Sequence, residues 1–394
     1  MAAVAYKKHF LFGPKPGCPW ADKMVLNPAM IADPDDPDTI HMLFRATGPW
    51  PQAKMPGHPM PYPIFLGYAV SHDRGSSWQC DFSRPAKPMA FKFDPADPPI
   101  IEDAFGRKVF DYTNGNVEDP RLFYFEGQLY STMAGRPFPP GPYWEHDDPH
   151  QCVPDGFEAF GKSVTENYTG TQLYKVDLNA LKTGDYDHAF TFVCQLHDPE
   201  ISDDRDVVLF PRRLEINGKK KIVCIHRPKW PWNYEIGKEV SAPSIFMAAG
   251  DSFADFSNGK AERVVYAQRK YPWEENRIGP SWAPMELEPG LWMLPYHGKQ
   301  DDKVGYTQSF MLLKETGKGF PEIVARPAER LFYAEEPWEL EGDFTIPCLF
   351  TCSGVLLDDG ILCMGYGAAD AKVGLLEVNF QELVDYLKAQ MGKC

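Results

Sequence analysis

Short apolar or aromatic runs, each broken by Pro, Gly, Asn or Asp, recur along almost the whole 394-residue chain. Runs of about four to eight residues between turn-forming residues are typical of β-strands, whereas amphipathic helices need apolar residues at a period of about 3.6. Many short strands in one chain predict a β-sandwich, a barrel or a propeller. The candidate strands are 39–46, 63–71, 121–134, 171–176, 207–212, 221–226, 244–249, 291–296, 304–312, 348–357, 361–366 and 372–378.

Helical periodicity is clear only near the end of the sequence. Phe380, Leu383, Val384 and Leu387 fall at helical spacing there and would cover one face of a larger body. The chain is therefore predicted to be all-β with a short C-terminal helix at about 379–391. Because no linker or break in composition is visible, residues 1–394 are predicted to form a single domain.

Two further features favour a five-bladed β-propeller. Ser71, Asp73, Gly75 and Trp78 match the Asp-box turn, in which an aspartate accepts backbone hydrogen bonds within a hairpin and a tryptophan packs between sheets. One such hairpin turn can also arise alone. In addition, units of strand, turn and strand divide the chain into about five parts, which lies within the range of blade numbers that propellers show.

The charge balance excludes several partner classes. The chain has 40 Lys+Arg against 55 Asp+Glu, a formal net charge of -15, and would repel both phosphate backbones and anionic lipid. Neither nucleic acid nor a membrane is therefore predicted as a partner. No apolar run approaches the roughly 18 residues of a membrane span, and Lys7, Lys8 and His9 stand where a signal sequence needs its apolar segment. A cytoplasmic location is predicted.

The nine cysteines agree with that compartment, because an odd number scattered along the chain cannot all pair. Reduced thiols are therefore predicted. Cys348 and Cys352 are close in sequence, but their apolar surroundings favour a buried strand over a metal site. No catalytic metal and no organic cofactor are predicted.

Several familiar catalytic motifs are missing from the sequence. It holds no Gly-rich phosphate loop before a Lys-Ser/Thr pair, no GxSxG elbow, no HExxH and no CxxC. GYGAAD at 365–370 lacks the third glycine of a dinucleotide-binding fingerprint. The sequence therefore gives no support to a nucleotide triphosphatase, a serine hydrolase, a zinc protease or an NAD enzyme.

The segment NGNVEDPRLFYFEGQLY, residues 114–130, is the strongest candidate for chemistry. Asp119 follows a turn-forming Asn-Gly and precedes Pro120, which predicts a restricted, extended backbone just before a strand. Arg121 can project to the same face and hold an acidic neighbour, either Glu118 or Asp119. Taken alone, the segment favours a structural turn aspartate paired with arginine.

Eight short segments, taken in order, resemble glycoside hydrolase family 130, the mannoside phosphorylases and related β-mannosidases. The resemblance covers about residues 27–390, and eight matches in order make it specific. It implies a five-bladed propeller with the active site at the central axis. The segments are NPA at 27–29, FRA at 44–46, EDPR at 118–121, RDVVLFP at 205–211, HRP at 226–228, YHG at 296–298, YGAAD at 366–370 and VGL at 373–375.

The resemblance implies an inverting enzyme that cleaves β-mannosidic bonds in manno-oligosaccharides. Asp119 matches the general acid, which would protonate the glycosidic oxygen through the 3-hydroxyl of the mannose being cleaved. A pocket with few water contacts would raise the pKa of Asp119 and keep its proton near neutral pH. The implied substrate-binding residues are Asn27, Arg45, Asn116, Arg121, Tyr296, His297 and Asp370.

The choice of nucleophile sets the rest of the site. Inorganic phosphate as co-substrate needs cations to hold it and no base, and family phosphorylases resemble one another in using two arginines, a lysine and a histidine. Here Arg205 stands in place of the lysine, His226 is present, and Arg136 is the only arginine between Arg121 and Arg205. Phosphate binding is therefore predicted for Arg136, Arg205 and His226, with mannose 1-phosphate as the product.

Two alternatives remain open. An inverting β-mannosidase would activate water with a second carboxylate about 6.5–9.5 Å from the acid, and Glu286, Asp206 and Asp203 are candidates for that base. The incomplete arginine pair favours this alternative, whereas the missing signal sequence favours a phosphorylase acting on imported oligosaccharide. A non-catalytic propeller that binds glycans or proteins is the other alternative. The linkage, the acceptor sugar and the oligomeric state, a homo-oligomer included, are left open.

Two aromatic groups are candidates for contacts with acceptor sugars, since aromatic rings suit the C–H faces of pyranoses. The first lies in segment 137–167, which resembles a long functional loop and whose aromatics could instead pack against another chain. The second follows His226 and is equally suited to filling the core. The residues are Tyr143, Trp144, Phe157 and Phe160 in the first group, and Trp230, Trp232 and Tyr234 in the second.

Overall fold

The computed structural model describes residues 4–48, 64–90, 92, 94–137, 156–166, 168–229, 240, 243–301, 303–341 and 347–393. Strands dominate this part of the chain. In chain order they are β1 (Tyr6–Phe12), β2 (Met24–Ala32), β3 (Ile40–Thr47), β4 (Ile64–Ser71), β5 (Gln79–Asp81), β6 (Ile100–Glu102), β7 (Lys108–Phe110), β8 (Glu118–Phe125), β9 (Gln128–Gly135), β10 (Gly170–Val176), β11 (Phe190–Gln195), β12 (Asp203–Leu209), β13 (Leu214–Ile216), β14 (Lys219–Lys229), β15 (Ile245–Gly250), β16 (Glu262–Ala267), β17 (Arg277–Pro280), β18 (Met285–Glu288), β19 (Leu291–Lys299), β20 (Tyr306–Lys314), β21 (Glu322–Ala325), β22 (Phe332–Tyr333), β23 (Leu349–Thr351), β24 (Val355–Leu356), β25 (Ile361–Ala368) and β26 (Lys372–Asn379).

The helices of the described residues are short. The α-helices are α1 (Lys162–Thr165), α2 (Leu178–Thr183), α3 (Phe253–Ser257), α4 (Pro337–Leu340) and α5 (Phe380–Lys388), and single 3₁₀ turns cover Tyr112–Asn114, Phe157–Phe160 and Pro272–Glu274. Helix α5 begins where β26 ends, and the side chain of Asn379 caps it by accepting a hydrogen bond from the backbone N–H of Glu382.

Five antiparallel sheets form the blades of a β-propeller. Their strand orders are β2-β3-β4-β5, β8-β9-β10-β11, β12-β14-β15-β16, β17-β19-β20-β21 and β23-β25-β26-β1. The first strand of the chain, β1, pairs antiparallel with β26 and so completes the fifth blade from the other end of the sequence. This pairing of the first and last strands of the chain closes the ring of blades. The predicted five-bladed propeller with a short C-terminal helix is confirmed.

The apolar core is distributed between neighbouring blades. Val208 and Ile225 of the third blade pack with Trp292 and Leu294 of the fourth, and similar clusters fill the other four junctions. Central strands are consequently buried on both faces, which explains why they appear in the sequence as continuous apolar runs rather than as alternating patterns. Helix α5 covers one junction, between the fourth and fifth blades, with Leu383 and Leu387 among its contacts.

The Asp-box turn forms between β4 and β5, as the sequence predicts. One carboxylate oxygen of Asp73 accepts hydrogen bonds from the backbone N–H of Ser77 and the hydroxyl of Ser71, both at 2.8 Å. Trp78 donates from its indole N–H to the carbonyl of Gly75 at 3.0 Å and packs between the first and fifth blades. Gly75 has a φ of 93°, a conformation that glycine adopts without strain.

The inner strands of the first three blades share a β-bulge. The pairing register shifts within residues 26–29 of β2, 118–121 of β8 and 205–208 of β12. A polar residue with positive φ occupies each bulge, namely Asn27 (49°), Asp119 (51°) and Asp206 (57°). Bulges re-aim side chains, and the side chains of all three meet at the axis. The extended backbone predicted for Asp119 is therefore wrong.

The predicted aromatic loop is covered only in part. Residues 138–155 and 167, together with Trp230, Trp232 and Tyr234, lie outside the described residues, so the predictions for Tyr143, Trp144 and the second aromatic group are not tested. Phe157 is fully buried against Phe110, and Phe160 packs on both rings. The prediction that Phe157 stacks on a sugar is wrong, because its ring fills a small core.

No helix of the described segments combines the length and the apolar character that a membrane crossing requires. Cys348 and Cys352 are fully buried at the two ends of β23, which agrees with a buried strand at this position.

Candidate active site

Asp119 lies at the axis, where the first, second and fifth blades meet. Its Oδ1 accepts hydrogen bonds from Nδ2 of Asn27 at 2.8 Å and from Nη1 of Arg45 at 3.1 Å. Among the described residues, no donor reaches its other carboxylate oxygen, Oδ2. The side chain remains 13% exposed, so this oxygen is the one that a ligand can reach.

Arg121 fixes the position of Asp119 from below. Its buried guanidinium donates from Nη1 to the backbone carbonyl of Asp119 at 2.7 Å, from Nη2 to Asp206 at 2.7 Å, and from Nε to the carbonyl of Ser281 at 3.2 Å. The contact with Asp119 lies within β8, whereas those with Asp206 and Ser281 reach the third and fourth blades. The arginine therefore holds the bulge of β8 against the third and fourth blades.

Asp206 is held by three neighbours from three strands. Beside Arg121, it accepts a hydrogen bond from Nε of Arg227 at 2.5 Å, and Nε2 of His297 lies 3.4 Å from the same oxygen. Burial alone would raise the pKa of Asp206, but the two guanidinium groups outweigh it and hold the pKa well below its usual range. Gly279 lies against this group, and a Cβ there would stand 2.7 Å from the carboxylate.

The pKa of Asp119 differs from the sequence prediction. Burial raises it, but the charges of Arg45 and Arg121 and the hydrogen bond from Asn27 outweigh burial, so the pKa lies below its ordinary value. The raised pKa expected for the general acid is therefore wrong for the chain without ligand, in which Asp119 is ionised at neutral pH.

The pKa of Asp370 is shifted in the opposite direction, above its ordinary value. Asp370 sits at the turn between β25 and β26 with a φ of 50°, and the thiol of Cys348 lies 3.6 Å from its Oδ1. Burial raises the pKa of Asp370, and the charge of Asp119 adds to this against the opposing charge of Arg45. The charge of Arg45 thus acts on both carboxylates, but their pKa values are moved apart, a pattern common in sites that transfer protons.

A cavity of about 890 Å³ opens beside this cluster. Six cationic and three acidic side chains line it, which is a local excess of positive charge in a chain whose net charge is -15. Such an excess attracts anions. The lining residues are Arg136, Asp203, Arg205, Arg227, Lys229, Pro243, Arg269, Glu275, Asn276, Arg277, Gln300 and Asp301.

Two of the predicted phosphate ligands meet in this cavity. Arg205 donates to the hydroxyl of Thr169 at 2.8 Å and lies 3.5 Å from Glu118. Burial lowers the pKa of the Arg136 guanidinium, and the like charge of Arg205 lowers it further. Repulsion between two cations in one cavity is relieved when an anion binds between them.

The structure brings most of the predicted sugar-binding residues together. Asn27 and Arg45 contact the Asp119 carboxylate and Asp370 interacts with it electrostatically. Arg121 holds the backbone carbonyl of Asp119, and His297 contacts Asp206, which is also a partner of Arg121. Asn116 does not contact Asp119 itself; its Nδ2 donates to Oε1 of the neighbouring Glu118 at 3.2 Å. Its Oδ1 is buried and lacks a hydrogen-bond partner among the described residues.

Three predicted residues lie elsewhere. His226 projects from the other face of β14, where Nδ1 lies 2.6 Å from Asp204 and the ring packs on Phe246. Tyr296 donates to Glu274 at 2.9 Å inside the core of the fourth blade. Glu286 lies on β18, where it forms an ion pair with Arg212, and it does not line the cavity. The geometry gives their predicted roles no support.

Arg227 is the main residue that the sequence analysis did not single out. It follows His226 directly, and strand alternation places it on the cavity side. Its pairing opposite Arg205 in the β12–β14 register would identify it, but that register is not visible in the sequence. Glu118 was also missed as the anchor of both Arg45 and Arg205.

Comparisons with known proteins agree with this architecture. Residues 192–389 match the family model described as β-1,4-mannooligosaccharide phosphorylase, glycoside hydrolase family 130. A β-1,4-mannooligosaccharide phosphorylase of Ruminococcus albus is 28% identical over 207 residues, which is 52% of this chain and 56% of that protein. The match thus spans little more than half the length of this curated relative.

Two solved structures show the same fold over nearly the full chain. The β-1,2-mannobiose phosphorylase of Listeria innocua superposes with a TM-score of 0.62 at 15% identity, covering 98% of this chain and 100% of that one. A family 130 structure reported with glycoside hydrolases that target β-1,2-mannosidic linkages in Candida mannan gives 0.58 at 14% identity, with coverage of 96% and 94%. With the family match over half of its length, the chain belongs to glycoside hydrolase family 130, the mannoside phosphorylases and related enzymes.

Proposed function

We propose that the chain cleaves β-mannosides by phosphorolysis and releases mannose 1-phosphate with inversion of configuration. The observation that carries the proposal is the cationic cavity lined by Arg136, Arg205 and Arg227, of which Arg205 interacts electrostatically with Asp119. Three guanidinium groups in one cavity suit an incoming dianion better than a neutral water molecule. The phosphorylases among the relatives support the same reaction.

The mannosyl ring is proposed to bind over the axis, against Asn27, Arg45 and Asp370. Amide, guanidinium and carboxyl groups close to Asp119 can each hydrogen-bond a sugar hydroxyl and fix the ring. Oδ2 of Asp119 is the oxygen that no described residue engages, and we assign it to the hydroxyl through which the proton passes to the glycosidic oxygen.

Asp119 has to gain a proton before it can act as an acid. The bound sugar excludes water from the site, and a phosphate dianion in the cavity offsets the charges of the arginines, so both changes raise the pKa of Asp119. In the reaction the bond from the anomeric carbon to the glycosidic oxygen breaks and a bond to a phosphate oxygen forms. The proton of Asp119 goes to the leaving oxygen, so no base is needed.

Hydrolysis is the second candidate, because Asp203 lines the same cavity and family 130 includes hydrolases. The side chain of Asp203 is 23% exposed, and its carboxylate lies 3.8 Å from Nε of Arg205, so the carboxylate can contact water. Asp206 is less suited to act as a base, because both of its oxygens are already held by cationic or histidine partners.

Substitution of Arg205 tests the proposal. We expect Arg205→Met to raise the KM for phosphate by about 10–100-fold, because a charge-assisted hydrogen bond to phosphate is lost. The KM for the mannoside should change much less. Arg205→Lys is the matched control and should keep most of the affinity, since it retains the charge. Initial rates over a phosphate series give both constants. Turnover that is independent of phosphate in the wild-type protein would instead favour hydrolysis.

A further inference from the structure

The cations of the cavity stand at two depths. Arg227 lies at the level of Asp206, and Lys229 is two residues further along the same face of β14. Gly279 touches Asp206, and Arg277 precedes it by two residues on the same face of β17. A step of two residues along a strand is about 6.6 Å, so Lys229 and Arg277 form an outer pair nearer the mouth.

Two of the inner cations, Arg205 and Arg227, have carboxylate partners among the described residues, whereas the outer pair has none. Arg227 is paired with Asp206, and Arg205 has Glu118 and Asp203 within 4 Å. Within the described part of the chain, no carboxylate lies within 4 Å of the ammonium group of Lys229 or of the guanidinium of Arg277. Nε of Arg277 donates a hydrogen bond to the side-chain oxygen of the neighbouring Asn276 at 2.6 Å.

The outer pair also occupies its own sector of the funnel. The residues proposed to hold the mannosyl ring and to protonate the leaving oxygen come from the first, second and fifth blades. Two of the proposed phosphate ligands, Arg136 and Arg205, belong to the second and third blades. Lys229 and Arg277 belong to the third and fourth blades. The leaving sugar, which extends beyond the cleaved bond, can therefore occupy the sector of Lys229 and Arg277.

We propose that Lys229 and Arg277 bind an anionic group carried by the leaving sugar, so that the natural substrates are mannosides with an acidic reducing-end residue, a sugar phosphate monoester or a uronate. The inference rests on the proposed function, because it takes the mannosyl ring to lie over Asp119. Two cations that line one cavity, each without a carboxylate partner among the described residues, match the two or three oxygens of a phosphate or carboxylate. A neutral sugar at this position would give neither cation an ion-pair partner.

Binding of leaving-group analogues tests this assignment without relying on turnover. D-glucose 6-phosphate, D-glucuronate and D-glucose are titrated calorimetrically into the Asp119→Asn protein at saturating inorganic phosphate. We expect one or both acidic sugars to bind about 10–100-fold more tightly than glucose. Adding Lys229→Met and Arg277→Met should remove most of that difference. Lys219→Met, an exposed residue at the other end of β14, is the control and should leave it unchanged.

The outcomes separate three possibilities. Equal affinity for acidic and neutral sugars, or a preference that survives the double substitution, would overturn the proposal. A titration with inorganic phosphate alone that finds two sites, one of them lost in the double variant, would assign the outer pair to free phosphate and also overturn it. Phosphate-independent turnover would contradict the proposed phosphorolysis but not a measured preference for acidic leaving groups.

Discussion

Replacing Asp119 by asparagine is expected to lower kcat by about 10²–10⁴-fold, the usual contribution of a positioned general acid. Asparagine has the same shape, and its side-chain oxygen can still accept from Asn27 and Arg45. Arg121 holds the backbone carbonyl of residue 119 and not its side chain, so the bulge should persist. The loss should therefore appear in the rate of cleavage and not in folding or sugar binding.

The matched control is Asp187→Asn, which changes a carboxylate that is 76% exposed and paired with Arg84 at the surface. Its kcat should equal that of the wild-type protein. Sugar affinity and thermal unfolding of both variants are measured beside the rates. Wild-type turnover in the Asp119→Asn protein would refute the assignment of the acid, and a variant that fails to bind the mannoside would show that residue 119 mainly holds the sugar.

Removal of the Asp206 carboxylate should have the largest effect on stability. Asp206→Ala leaves Arg121 and Arg227 buried without their shared counter-charge, and breaking a buried ion pair in this way costs about 3–5 kcal/mol in the free energy of unfolding. Denaturant unfolding measures this loss, with Asp187→Ala as an exposed control that should stay within about 0.5 kcal/mol. Unchanged stability together with activity restored by azide would instead identify Asp206 as a catalytic base.

The same carboxylate should contribute to acid sensitivity. Because the pKa of Asp206 is depressed in the folded chain, its stabilisation is complete above the unfolded pKa of about 3.9 and is lost as the pH falls from there toward the folded value. Unfolding free energies measured between neutral pH and about pH 3 should therefore fall more steeply for the wild-type protein than for Asp206→Ala.

The sequence indicated most of the blades, and the exceptions have physical reasons. Strand β1 was missed because it is an outer strand with one face in solvent, so Lys7, Lys8 and His9 interrupt its apolar pattern. Strand β2 was missed because Asn27 and Pro28 stand in its middle, where a bulge accommodates them. The predicted strand 121–134 proved to be two strands, β8 and β9, joined by a turn with positive φ.

The site was predictable only where its residues belong to local motifs. Asn27, Arg45, Asp119 and Asp370 lie in such motifs, and the structure brings them together. Arg227 could not be chosen over its neighbour His226, because a one-residue change of strand phase exchanges the two faces.

The pKa of Asp119 shows a different limit of sequence reasoning. Its direction depends on Arg45 and Arg121, whose distances to the carboxylate are set by packing across blades. Burial, the one contribution that could be anticipated from a pocket, acts in the opposite direction and is outweighed.

The most direct test of phosphorolysis is the identity and anomeric configuration of the mannosyl product. Proton and phosphorus NMR can follow β-1,4- and β-1,2-mannobiose with the protein, with and without inorganic phosphate. Displacement from the face opposite the leaving group predicts α-mannose 1-phosphate as the mannosyl product, and no cleavage when phosphate is left out. Free mannose formed at the same rate without phosphate, or the β-anomer of the sugar phosphate, would contradict the account.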